Sequence, residues 1–152
     1  MDQAGSFSEA TRGILLEYGW HPGRSVDIAG WEAELVTDGF PPLHQAARQF
    51  LIEYGGLRFL DGGSGVTRAR EPFRLVPTAC SGEADRFIDW GEHINRDISP
   101  IGELAAGTCA WAYLGMDERG EVYVVIDRLA SFGRLPLALD RLVLGHMPRE
   151  VE

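Results

Sequence analysis

Three groups of residues in this chain have types and spacings that could do chemistry: a glycine-dense stretch, a set of carboxylates, and a few histidines and cysteines. The stretch is EYGGLRFLDGGSGV, Glu53 to Val66, with five glycines. Glycine loops cradle phosphates when a strand leads through them into a helix N-terminus, whose free N–H groups point at the anion. Here the order is reversed. Gly55-Gly56 follows an apolar helical pattern, where glycine supplies the left-handed conformation that ends a helix, so Gly55 is expected at positive φ. Gly63-x-Gly65 lacks the third glycine of a dinucleotide fingerprint, and Ser64 lacks the second glycine of a nucleophile elbow. All fourteen basic residues are arginine, so there is neither a P-loop lysine nor a Schiff-base lysine. The glycines are read as turn formers.

The carboxylates are more informative. Asp85, Asp89 and Glu92 lie at i, i+4 and i+7, which puts them on one face of a helix. Glu103, in PIGEL, and Asp117-Glu118, at a hairpin tip, are expected to be exposed as well. Glycoside hydrolysis needs two carboxylates facing each other across a sugar, and nothing marks such a cleft. The six are therefore candidate contacts for a basic protein partner, with no catalytic residue assigned. His21, His44, His93 and His146 match no HExxH or His-x-His pattern, and Cys80 and Cys109 lack the number and spacing of a zinc site or disulfide framework. No metal and no cofactor is expected, and the cysteines are expected as reduced thiols in a cytoplasmic protein. The formal charge of −9 excludes direct binding to nucleic-acid backbones, which needs a basic footprint, and suits steering towards a basic partner. MDQAGSFSEATRG lacks the basic and apolar regions of a secretion signal, and no apolar run is long enough to span a bilayer. No membrane partner is expected.

The elements that must position these residues are legible from periodicity. Ser6-x-x-Glu9 reads as a capping box for a helix with Phe7, Ala10, Ile14 and Tyr18 on one face, stopped by Gly19. Pro22-Gly23 predicts a tight turn. Asp27 caps a second helix carrying Ile28, Trp31 and Leu35, ended by Asp38-Gly39. Pro41-Pro42 opens a third with Leu43, Ala46, Ala47, Phe50, Leu51 and Tyr54 in register. Leu57 to Leu60 alternates like a strand, and DGGSG reverses it into Val66 to Ala69. Phe73 and Leu75 suggest another strand. From Glu83 to Ile94 a helix turns Phe87, Trp90, Gly91 and Ile94 inward. Thr108 to Met116 and Glu121 to Asp127 form a hairpin around Asp117 to Gly120, the return strand apolar on both faces. Pro136 starts a last helix with Leu135, Leu139 and Leu142, capped by Gly145. Trp20, Trp31, Trp90 and Trp111 are read as packing residues. The expectation is one α+β domain over residues 1–152, with its core at about 6–148: N-terminal helices, then a largely antiparallel sheet with one inserted helix and a C-terminal helix.

YGWHPGR, WEAELVTDGFP, AARQFLIEYGGL, PIGEL, LGMDERGEVYVV and FGRLPLALDRLVLG occur in this order between Tyr18 and Pro148. In these blocks the chain resembles the SUKH superfamily of bacterial immunity proteins, third subgroup, related to the Smi1/Knr4 fold. One departure is Ser99, before PIGEL, where the pattern has a bulky apolar residue. The resemblance implies a non-catalytic protein that neutralises a cognate toxin domain of a polymorphic toxin system, commonly a nuclease or nucleic-acid deaminase. The alternative is a general interaction or regulatory module of the same fold with a non-toxin partner.

Overall fold

The computed structural model describes residues 8–59, 73–105, 111–126, 128–135, 137–144 and 149–151. Three helices come first: α1 (Glu9–Glu17), α2 (Ala29–Thr37) and α3 (Gln45–Tyr54). Strands β1 (Arg58–Phe59) and β2 (Phe73–Arg74), a 3₁₀ turn at Pro77–Cys80 and helix α4 (Ala84–Ile94) follow. Then come β3 (Ser99–Ala105), β4 (Trp111–Met116), β5 (Glu121–Val125), β6 (Leu129–Arg134), helix α5 (Leu137–Leu144) and β7 (Arg149–Val151). The seven strands form one sheet in sequence order, every neighbouring pair antiparallel. This is the expected α+β architecture, with α4 inserted between β2 and β3 and α5 near the end.

Local chemistry explains most of the boundaries. The cap of α1 is Ser8, whose hydroxyl accepts from the Thr11 N–H at 3.2 Å. The capping box expected at Ser6 is thus displaced by two residues, and Ser6 and Phe7 lie outside the described residues. The buried face of α1 is Thr11, Ile14 and Leu15, while Ala10 is exposed. Serine recurs at 6 and 8, and the second is the one whose hydroxyl meets the Thr11 N–H. Pro22-Gly23 makes its turn, with Gly23 at φ 81° and the Arg24 N–H donating to the His21 carbonyl. Asp27 accepts from the Ala29 N–H at 3.0 Å and so covers the start of α2.

Helix α3 begins at Gln45, and its cap is His44. The ring Nδ1 accepts from the Ala47 N–H at 3.2 Å, which leaves the proton on Nε2 to donate to the Met116 carbonyl at 2.8 Å. One imidazole therefore closes a helix and ties it to the end of β4. At the other end of α3 the positive φ belongs to Gly56 (85°), and Gly55 sits at φ −60°. The expectation for Gly55 is corrected, although the site still needs glycine. A Cβ there would collide with the Leu51 carbonyl oxygen and lie 2.7 Å from Cζ3 of Trp31. Gly55 is a close-approach position and Gly56 is the left-handed one. The DGGSG reversal, Thr108 to Ala110, Asp127, Pro136 and Gly145 lie outside the described residues.

The core runs from the helices onto the sheet. Trp20, Phe59, Phe73, Phe87, Ile101 and Leu114 are all enclosed, and Phe59 stacks on Phe73 with ring centres 4.5 Å apart. Along β5, Val122, Tyr123, Val124 and Val125 are all buried, as the apolar run predicts. Ser99 is buried too, opposite Met116 at the start of the β3–β4 ladder, so the strand packs there without a bulky side chain.

Candidate functional site

Helix α4 places the sequence-predicted carboxylates, and two glycines let it sit where it does. Ala84, Phe87 and Gly91 face inward. A Cβ on Gly115 of β4 would lie 2.6 Å from Cγ2 of Ile98 and 2.9 Å from Cε2 of Phe87, so only glycine lets the helix pack this close to the sheet. Phe87 also meets Phe40 edge-on at 5.5 Å. Trp90 is half-buried and donates from its indole nitrogen to the Ile126 carbonyl at 2.9 Å. Asn95 ends the helix at φ 59°, and the Arg96 N–H returns to the Gly91 carbonyl at 2.8 Å. Gly91 admits this return, since a Cβ would stand 2.6 Å from the Arg96 carbonyl oxygen.

The opposite face of α4 is acidic. Asp85, Asp89 and Glu92 are exposed, and among the described residues none has a hydrogen-bond or ion-pair partner. Ile88 stands among them, 36% exposed. Two hollows flank this face. One, about 400 Å³, is lined by Glu83, Asp85, Arg86, Asp89, Trp90 and Ile126. The other, about 390 Å³, runs between α4 and the hairpin tip, past Pro41, Ile88, Gly91, Glu92, Asp97 and Glu118.

The remaining predicted carboxylates behave differently. Glu103 is 6% exposed and pairs with Arg74, its cross-strand neighbour on β2. Asp117 is fully buried. Its Oδ1 accepts from the N–H groups of Arg119 (2.8 Å) and Glu121 (3.1 Å), and its Oδ2 from Arg119 Nη2 and the Tyr123 hydroxyl, each at 2.8 Å. Burial alone would raise this carboxyl, but the donors outweigh it and hold Asp117 below its ordinary value. The same contact, with burial, pushes the Tyr123 phenol up. Glu103 and Asp117 are therefore not the exposed carboxylates expected from their neighbours in sequence. Each offsets the loss of hydration by charged hydrogen bonds inside the chain.

Glu118 stays at the surface with a job of its own. Its Oε1 accepts from the Asp97 N–H at 3.0 Å and its Oε2 from Arg96 Nη1 at 3.1 Å. Burial would raise its carboxyl, and these donors hold it down instead. Sequence reasoning paired Asp117 with Glu118 as one tip. The structure separates them into a buried brace for the turn and a clasp on the chain leaving α4. It also adds Asp97 and Ile88, which helical spacing alone does not single out.

Other chemistry-bearing groups have structural partners. His44 spends both ring nitrogens on backbone. The Cys80 thiol is buried, donates to the Gly102 carbonyl at 3.2 Å and is pushed up by burial; Cys109 lies outside the described residues. Among the described residues no group of three or more His, Cys, Asp or Glu could hold a metal ion, and no helix is long and apolar enough to cross a membrane.

The inserted helix of this α+β chain thus turns outward three carboxylates that have no partner among the described residues. A family model described as SUKH-3 immunity protein matches residues 7–145, and the chain belongs to that family. No curated protein and no solved structure matches it.

Proposed function

We propose that this protein is the immunity partner of a toxin domain, which it neutralises by binding, and that the toxin is a basic, nucleic-acid-acting enzyme such as a nuclease or deaminase. Family membership over residues 7–145 carries this reading. The acidic face of α4 supports the basic character of the partner, because enzymes that handle nucleic acid present cationic clefts to which such a face is complementary. The contact surface we assign is Asp85, Asp89 and Glu92, with Glu118 at its edge; the protein acts in the cytoplasm, by occupying the toxin and not by chemistry of its own.

The reading expects a large secreted protein with a nuclease-like C-terminal domain to be encoded nearby, and the test is co-expression with that toxin domain. Survival of the host, and recovery of a complex of the two chains, are the expected results. Replacing Asp85, Asp89 and Glu92 together by Asn, Asn and Gln should leave the melting temperature unchanged. Asp85 in the first turn favours the helix dipole and Glu92 near the end opposes it, so the two contributions offset. The triple variant should associate more slowly. Raising salt to physiological strength should do the same to the parent, because the Debye length then shrinks to about 8 Å. Unchanged association and unchanged protection would remove α4 from the interface.

A further inference from the structure

The hollow between α4 and the hairpin tip combines features that the acidic face alone does not have. Its walls include Ile88 and Pro41, both exposed. Ile88 stands on a helix whose neighbouring outer positions are charged, and 36% of its surface is left uncovered by the chain. The rim carries Glu92 and Asp97, whose carboxylates have no partner among the described residues. The cation lining the hollow, Arg96, is already committed to Glu118 at 3.1 Å and does not neutralise them. Glu118 in turn uses its other oxygen on the Asp97 N–H, which fixes the chain segment that forms the rim. The result is an apolar wall beside two unpaired carboxylates, in a space of about 390 Å³.

We propose that this hollow receives one arginine or lysine side chain of the partner protein, its methylene stem lying on Ile88 and Pro41 and its cationic head reaching Glu92 and Asp97. The proposal rests on the reading of the protein as a binder of a basic toxin and names the anchor of that interface. The occupant follows from the chemistry. An apolar plug would strip water from two carboxylates without pairing them, which is costly. A second copy of this chain would bring −9 against −9, which like-charge repulsion opposes. A long basic side chain satisfies both surfaces at once, stem on the apolar wall and head in the polar rim. Arginine does this best, since its planar fork can donate two bonds to one carboxylate, and it is a recurrent anchor at protein interfaces. Glu118 is a positioning residue here: it shapes the rim and is not itself offered to the guest.

The experiment is an amide NMR titration of the full chain with N-acetyl-arginine methylamide. N-acetyl-citrulline methylamide, the neutral isostere, and N-acetyl-norleucine methylamide, the bare stem, serve as controls. The expected result is saturable shifts at Ile88, Glu92 and Asn95 to Ile98 with the arginine probe in the millimolar range, and much weaker shifts with either control. The double variant Glu92→Gln, Asp97→Asn should weaken the arginine response roughly five-fold or more with the melting temperature unchanged. Ile88→Ser should weaken it too, which a purely ionic site would not show. Shifts spread evenly over Asp85, Asp89 and other surface carboxylates would overturn the proposal, as would norleucine binding as well as arginine, or self-association through this face. The functional reading fails separately, by absence of protection on co-expression. Protection that survives the double variant but is lost on replacing Asp85 and Asp89 would sink the anchor and leave that reading standing.

Discussion

Asp117→Asn isolates the electrostatics of the hairpin brace, because asparagine keeps the shape and most of the acceptors. Its amide oxygen can still receive the Arg119 and Glu121 N–H groups, as Oδ1 does now. What is lost is Oδ2, which takes Arg119 Nη2 and the Tyr123 hydroxyl at 2.8 Å each; an NH₂ there faces a guanidinium donor. A hydrogen bond to a charged group contributes about 1.5–3 kcal/mol, and breaking a buried ion pair costs about 3–5 kcal/mol. Arg119 is 30% exposed and stays partly solvated when orphaned, so the smaller of these two ranges applies, about 2–3 kcal/mol. For a chain of this size that is a loss of roughly 4–12 °C in melting temperature. The acid limb gives an independent readout. In the folded chain Asp117 titrates below its ordinary value, so near pH 4 the unfolded chain binds more protons and stability rises with pH. This contribution is complete above the ordinary carboxylate range and disappears as pH falls through the folded value. Urea unfolding of the parent between pH 2 and 7, an acid series chosen to bracket carboxylate titration, should therefore slope upward, and the Asp117→Asn curve should be flatter as well as lower. A variant within about 0.5 kcal/mol of the parent, with the same acid slope, would refute the assignment of a charged brace.

Three further outcomes follow from local geometry. Gly55→Ala should destabilise by about 1–3 kcal/mol through overpacking against Trp31 and the Leu51 carbonyl, and Gly56→Ala by about 1 kcal/mol through its left-handed backbone; thermal melts that reverse this order would contradict the two roles. His44→Ala removes a helix cap and a bond to the Met116 carbonyl and should lose about 1–2 kcal/mol, with His44→Asn recovering the cap share only. In a Cys109→Ser background, the buried Cys80 thiol should react with a disulfide reagent far more slowly in the folded chain than in the urea-unfolded chain at the same pH; equal rates would contradict its burial.

Periodicity carried the helices and the hairpin because their apolar faces are wide and regular; α3 and α4 each bury one side and leave the other wet. It located the acidic face of α4 for the same reason, since helix geometry alone sets Asp85, Asp89 and Glu92 together. It failed on Glu103 and Asp117, whose fate depends on partners distant in space or on turn geometry. Glu103 is buried because Arg74, 29 residues away, stands opposite it. Asp117 looks like its neighbour Glu118 in sequence, yet one more methylene reverses the outcome. The short side chain folds back onto the turn's own N–H groups, and the longer one reaches across to Asp97. The misplacement of positive φ by one glycine has the same origin: Gly55-Gly56 reads as a unit, and only the folded backbone, with the Leu51 carbonyl and Trp31 pressed against Gly55, tells the two apart.

The absence of lysine shapes the surface as well as excluding two kinds of catalysis. Arginine's fork favours fixed, several-point contacts over loose solvation, and among the described residues seven arginines hold acceptors within the chain. Arg24 and Arg141 hold the carbonyls of Glu53 and Phe132, while Arg48, Arg74, Arg86, Arg96 and Arg119 pair with carboxylates. Cations so committed are poorly placed to move over and neutralise the face of α4. The −9 charge is thereby expressed where carboxylates have no partner among the described residues, and on the proposed reading the two stages of binding would use different residues. On the proposed reading Asp85 and Asp89, open to solvent, would set how fast a cationic protein arrives, and salt would screen them. Glu92 and Asp97, beside the Ile88 wall, are placed to set how long it stays. The two stages can thus be separated by mutation: neutralising the first pair should change the association rate, and neutralising the second pair the dissociation rate.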